Sequence, residues 1–113
     1  MVKQAKNVDK VVASSGNVFA DLGLPDAVEL DTKVRLAVAI NHLLESRRLT
    51  QAAAAAALSI NQPKISALKH YKLEGFSVGR LMTFLTALGS DIEIRIRPPK
   101  RSSSPGRILV DAA

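Results

Sequence analysis

Residues 49–69 read LTQAAAAAALSINQPKISALK. Thr50 is placed to cap a helix, because its hydroxyl can accept from the free amides of a first turn. Ala52 to Ala57 follow as an unbroken alanine run, the strongest helix former and the one that lets another helix cross most closely. Leu58-Ser59-Ile60 interrupts the run, and Asn61 offers a second N-cap. Pro63 suits a first helical turn, where a missing N–H is a small loss. Ile65 and Leu68, three apart, give the second helix an apolar stripe. The spacing predicts a short helix, a tight turn and another short helix. That is the layout of a helix-turn-helix, whose second member enters the major groove of DNA.

Charge favours this over a plain helical hairpin with a solvated basic face. Between residues 46 and 73 stand Arg47, Arg48, Lys64, Lys69 and Lys72, with no acid. Asn61 and Gln62 open the second helix, and their amides can pair bidentately with adenine edges.

Composition sets wider limits. A chain of 113 residues is long enough for one domain with a small core. The formal net charge is +6 and the pI about 10.1, which suits a polyanionic partner. The basic excess is concentrated in 46–73 and again in 94–107, where Arg95, Arg97, Lys100, Arg101 and Arg107 lie. Without cysteine there is neither a disulfide framework nor thiolate chemistry. No apolar run approaches the ~20 residues of a membrane span. Residues 1–16 are too interrupted by charge for a signal peptide. A soluble, cytoplasmic protein with no membrane partner is expected.

Residues 1–16 are expected to be a flexible basic tail. In 17–30, Val18, Phe19, Leu22 and Leu24 can pack as a short apolar turn. Pro25 and Asp26 suggest a new helical start, with Glu29 in the position of a capping-box acid. That segment can serve as a lid on the core or as a docking surface. Asp31 to Arg48 is expected to be the first long helix, with Leu36, Ile40, Leu43 and Leu44 as its stripe. Arg47 and Arg48 in its last turn suit the helix dipole and can equally reach a phosphate. His42 lacks the neighbours of a metal ligand.

His70, Tyr71 and Lys72 form a basic connection suited either to phosphate contact or to solvent. Phe76 to Gly89 is expected to be the next helix, capped by Ser77 and stapled by Phe76 on Leu81. Gly89 fits its left-handed end. The period then changes. Ile92, Ile94 and Ile96 alternate with Glu93, Arg95 and Arg97, a strand with one apolar face. A lone strand must find a partner for its backbone, and no other convincing strand exists in the chain. Antiparallel self-pairing in a homodimer is the economical answer, and augmentation of another protein's sheet is the alternative. Pro98-Pro99 ends it, and 99–113 is expected to be a flexible Ser/Pro/basic tail with a vestigial strand at 108–110.

Three stretches carry a family resemblance: NVFADLGLPDA at 17–27, LTQAAAAAALSINQPKISAL at 49–68 and FSVGRLMTFLTALGSDIEIRIRP at 76–98. The chain resembles the Xre family of λ-repressor-like helix-turn-helix proteins and, within it, the HigA-like antitoxin branch. The resemblance implies a mainly α bundle of about five helices over 17–98, with one C-terminal strand paired across a dimer. It implies a repressor that binds a palindromic double-stranded operator as a homodimer. It also implies the antitoxin and autorepressor of an operon shared with a RelE-type toxin ribonuclease. A stand-alone regulator and a pure toxin neutraliser are the alternatives.

By motif position, Gln51 resembles the family's phosphate-holding glutamine, and Thr50 stands beside it. Gln62 and Pro63 stand where the family reads bases. Proline has no amide to donate, so base reading falls to Gln62 beside Asn61, with Ser66 and Ala67 further along. Lys64, Lys69, His70 and Lys72 are the expected phosphate contacts. Two positions depart from the family. Ala53 replaces a usual acid of the capping box, and Ser59 replaces a usual glycine in the turn. If position 59 is left-handed, serine there costs roughly 1 kcal/mol.

An enzyme is not expected. No nucleophile–base–acid set stands out, there is no glycine-rich phosphate loop, and neither a metal nor a cofactor is called for. Four aromatics without a basic-aromatic sheet argue against an RNA-stacking module.

Overall fold

Every polar interruption of the longest helix lies on one side of it, so it can serve as the spine of a bundle. The computed structural model describes residues 27–101 and 104–112. Helix α1 spans Ala27–Ser46, α2 spans Gln51–Leu58, α3 spans Gln62–Lys69 and α4 spans Val78–Ala87. On α1 the buried side chains include Ala27, Val34, Ala37, Ile40 and Leu44, at the three- and four-residue spacing of one helix face. That face packs against α4 and α3, and α2 packs against α3 and α4. Ile40, Leu44, Ile65, Leu68, Leu73, Leu81 and Leu88 are the largest fully buried side chains. Phe76 meets Phe84 edge to face, with centroids 5.9 Å apart and planes at 78°. Phe76 and Leu81, the expected staple pair, are both in this core.

Two expectations about α1 are corrected. The separate start near residue 26 and the helix from Asp31 are one helix from Ala27. No glycine or proline lies between 27 and 46, and ion pairs bridge the expected joint. Lys33 sits 3.7 Å from Glu29, and the Arg35 Nε donates to Asp31 Oδ2 at 3.0 Å. Both pairs have the acid four residues ahead of the base, the favourable order. With that merger, four helices rather than five occupy the described residues. The turn expected at 17–24, the tail 1–16 and the Pro25–Asp26 start lie outside the described residues.

All four helices end in the same way. Arg48 (φ 53°), Ser59 (φ 57°), Tyr71 (φ 58°) and Gly89 (φ 90°) are left-handed. After each, the next amide reaches back five residues: Leu49 to the Leu44 carbonyl at 3.1 Å, Ile60 to Ala55 at 3.0 Å, Lys72 to Ala67 at 2.9 Å and Ser90 to Leu85 at 3.0 Å. These are Schellman ends, and they satisfy carbonyls that a helix terminus otherwise orphans. Only the fourth uses glycine. At the other three a side chain occupies a conformation costing about 1–2 kcal/mol. The helix expected to reach Arg48 therefore stops at Ser46.

The Ser59 expectation holds, since its φ and ψ are 57° and 41°. Ser59→Gly is predicted to stabilise the domain by about 1 kcal/mol, a rise in Tm of roughly 4–8 °C. Thermal unfolding followed by circular dichroism checks it. An unchanged or lowered Tm would show that serine fits this turn without strain.

α1 also holds the carbonyl ends of two other helices. Asn41 is buried, and its Nδ2 donates to the Leu68 carbonyl at 3.2 Å, across from the end of α3. Arg47 donates through Nη2 to the Leu88 carbonyl at the end of α4. A cation at a helix C-terminus opposes the negative end of the dipole. Arg47 is thus committed to the fold, which removes it from the possible phosphate contacts.

Beyond α4 no strand ladder forms among the described residues. Ile92 is half-buried against the core, whereas Ile94 and Ile96 stand 75% and 89% exposed. The expected vestigial strand at 108–110 is likewise absent, and Val110 packs against the core instead.

Candidate nucleic-acid interface

Each helix of the 50–69 unit is started by the side chain before it. Thr50 Oγ1 accepts from the Ala53 amide at 3.1 Å, and Asn61 Oδ1 accepts from the Lys64 amide at 2.9 Å. Both caps have extended backbone, with φ, ψ of −69°, 165° and −81°, 164°. These bonds satisfy donors that a helix start leaves unpaired, so both short helices have defined beginnings. Ser77 does the same for α4, accepting from the Arg80 amide at 3.0 Å. Between the caps, the left-handed Ser59 turns the chain, and half-buried Ile60 anchors the turn on the core.

The alanine run then divides by face. Ala54 and Ala55 are buried with Leu58, while Ala52, Ala53, Ala56 and Ala57 are exposed. On α3 the buried side chains are Ile65 and Leu68. With a 100° turn per residue, the opposite face carries Pro63, Ser66, Ala67 and His70, flanked by Gln62 and Lys69 on one side and Lys64 on the other. Asn61, Gln62, Pro63, Lys64 and His70 are exposed, and Ser66, Ala67 and Lys69 are half-buried. Every expected base-reading residue therefore lies on or beside the outward front of α3. The expected phosphate contacts surround it: Thr50 and Gln51 at the head of α2, Lys69 and His70 at the foot of α3, and Lys72 beyond it, all but Lys69 exposed.

Hydrogen bonds divide the roles more finely than residue type does. Asn61 uses its carbonyl oxygen as the cap, so its amide cannot both donate to and accept from one adenine. Gln62 makes no side-chain hydrogen bond among the described residues and keeps both ends of its amide. Thr50 accepts from Ala53 but retains a hydroxyl proton to donate. His70 Nδ1 donates to the Ser66 carbonyl at 2.8 Å, which leaves Nε2 pointing away from the helix. That bond fixes the ring at the foot of α3. Lys64 lies with Nζ 5.6 Å from the Phe76 ring centroid, and Arg80 lies 5.4 Å from that of Phe84.

The sequence alone did not reveal that Asn61 and Arg47 are spent on caps, or that Ser66 and His70 are joined through the backbone. A C-terminal arginine can be weighed as a phosphate ligand from its position, but its carbonyl partner comes from a helix forty residues away. No group of three or more potential metal-binding side chains is present among the described residues. No helix among them is long and apolar enough to cross a membrane.

Two short helices at this angle, a capped turn, an outward polar front and a basic surround define a helix-turn-helix unit built for duplex DNA. A family model described as a helix-turn-helix domain matches residues 18–97. A solved structure provisionally described as an XRE family transcriptional regulator is 62% identical, over 79% of this chain and 100% of that one, with a TM-score of 0.73. No curated protein matches. The chain belongs to the XRE family of helix-turn-helix transcriptional regulators and is a DNA-binding regulator.

Proposed function

We propose that this regulator is an operator-binding repressor that acts as a homodimer on a palindromic site. Gln62 reads base edges in the major groove, with Pro63, Ser66 and Ala67 against the same edges and Asn61 contributing its remaining donor. Thr50, Gln51, Lys64, Lys69, His70 and Lys72 hold the flanking phosphates. The observation that supports this best is the uncommitted amide of Gln62, exposed at the head of a helix whose opposite face is locked into the core. The dimer is joined through the 92–96 segment, where Ile94 and Ile96 are left in solvent by a single copy.

The test is hydroxyl-radical footprinting on the DNA upstream of the protein's own reading frame. Two protected patches are expected, with centres about 34 Å apart, one turn of the duplex. One patch, or uniform protection at every site, would contradict a two-fold reader.

The same operator binding fits an antitoxin that represses its own operon beside a RelE-type toxin. The resemblance of residues 17–27 and 76–98 to the HigA-like branch supports this. Co-expression with the neighbouring frame and recovery of a complex tests it. The absence of any small basic toxin frame beside this one would favour a stand-alone regulator.

A further inference from the structure

We infer that residues 91–97 are a self-complementary strand, and that two copies of the chain pair antiparallel about a two-fold axis at Ile94. This deepens the dimer reading above and rests on it. The segment reads Asp91-Ile92-Glu93-Ile94-Arg95-Ile96-Arg97, with two acids before the centre and two bases after it. Antiparallel pairing about Ile94 sets Ile94 on Ile94 and Ile92 on Ile96 of the other copy. On the other face it sets Asp91 on Arg97 and Glu93 on Arg95, each pair occurring twice. Directly opposed side chains have Cβ atoms about 4.5–5.5 Å apart, close enough for both kinds of contact.

No neighbouring register does as well. Centring one residue earlier puts Glu93 on Glu93, and centring one later puts Arg95 on Arg95 and Ile92 on Pro98. A shift of two in either direction pairs Asp91 with Glu93 or Arg95 with Arg97. Registers centred between residues put an isoleucine against a charged side chain throughout. Parallel pairing in register would place every charge against itself. Like charges directly opposed are destabilising, so charge selects one arrangement.

The structure leaves this segment ready for such a partner. Among the described residues, 91–101 make no backbone hydrogen bond to one another or to the rest of the chain. Asp91, Glu93, Arg95 and Arg97 are exposed, and none forms an ion pair among the described residues. Ile92 is half-buried on its own core. Pairing about Ile94 brings the 89%-exposed Ile96 of one copy beside the Ile92 of the other, and so to the margin of the partner's core. Both ends of the ladder are also set. Gly89 is left-handed before it, and Pro98-Pro99, which cannot donate, follow it.

A cysteine scan tests this, because the chain has no native thiol to interfere. Ile94 is largely exposed, so Ile94→Cys leaves the core intact. Opposed residues of a ladder have Cα atoms about 4.5–5.5 Å apart, within the range of a disulfide. Mild oxidation of the full-length Ile94→Cys protein is expected to give a covalent dimer in high yield. Glu93→Cys and Arg95→Cys should each give little alone, but a mixture of the two should cross-link.

Charge reversal provides the second arm. R95E/R97E should weaken dimerisation by at least about tenfold in sedimentation equilibrium, since four attractive pairs become repulsive. D91R/E93R/R95E/R97E inverts the order but remains self-complementary, and should restore the dimer. A native dimer that cross-links best through Glu93→Cys or Arg95→Cys alone, or is not restored by the fourfold variant, overturns the register while the homodimer stands. A native mass of 12.1 kDa at all concentrations, with no cross-link at any position, overturns the homodimer as well.

Discussion

Ile65→Ala is expected to destabilise the domain by about 2–5 kcal/mol, the usual cost of removing a fully buried isoleucine side chain. Ile65 is completely inaccessible to solvent, and with Leu68 it is one of only two buried residues on α3. An eight-residue helix does not hold itself in water, so α3 keeps its shape and direction through those two anchors and its cap. The loss should lower Tm by on the order of 10 °C or more in a domain of this size. It should also reduce operator affinity beyond the fraction unfolded, because α3 then presents Gln62 at variable angles. Denaturant titration and binding at a temperature where the variant is folded separate the two effects. A cost under about 0.5 kcal/mol would mean that α3 is not seated on Ile65.

Gln62→Ala carries the second large effect. A good bidentate side chain–base pair is worth about 1–3 kcal/mol of discrimination, and a dimer makes two. Operator affinity should fall by at least about tenfold, while affinity for unrelated duplex stays unchanged. The fold should not notice, since Gln62 is exposed and makes no bond within the described residues. Lys69→Ala should behave in the opposite way. It should weaken all duplexes evenly and reduce the salt slope by about one unit for each contact removed.

Local chemistry explains why much of this was legible in the chain. Thr50, Asn61 and Ser77 cap their helices through the hydroxyl or amide that the sequence displays, and Ile65 and Leu68 face the core as their spacing requires. Gly89 was readable as a left-handed end because glycine has no side chain to oppose it. Arg48 and Tyr71 were not, because arginine and tyrosine carry no local preference for that conformation. Tertiary packing and the five-residue return bonds hold them there. Ser59 was reached only through the family's usual glycine.

Misreadings arose where the partner lies far away. Arg47 looked like a free cation until the Leu88 carbonyl was placed beside it. The break expected before Asp31 rested on a plausible capping acid, Glu29, which instead pairs with Lys33 inside a continuous helix. The alternating isoleucines declare a strand, but a strand is a relation between two segments. One copy of the chain supplies only one of them among the described residues.

The central claim is that the front of α3 opening at Asn61 faces a duplex and reads it through Gln62. Its most direct test is a gel-shift titration of the native protein, Gln62→Ala and Lys69→Ala against the upstream operator and a scrambled duplex at several salt concentrations. The native protein should prefer the operator by a factor of about a thousand or more. Gln62→Ala should lose much of that preference, and Lys69→Ala should keep the preference while binding both duplexes more weakly. Equal affinity of the native protein for both duplexes at moderate salt, or an unchanged preference in Gln62→Ala, would contradict the account.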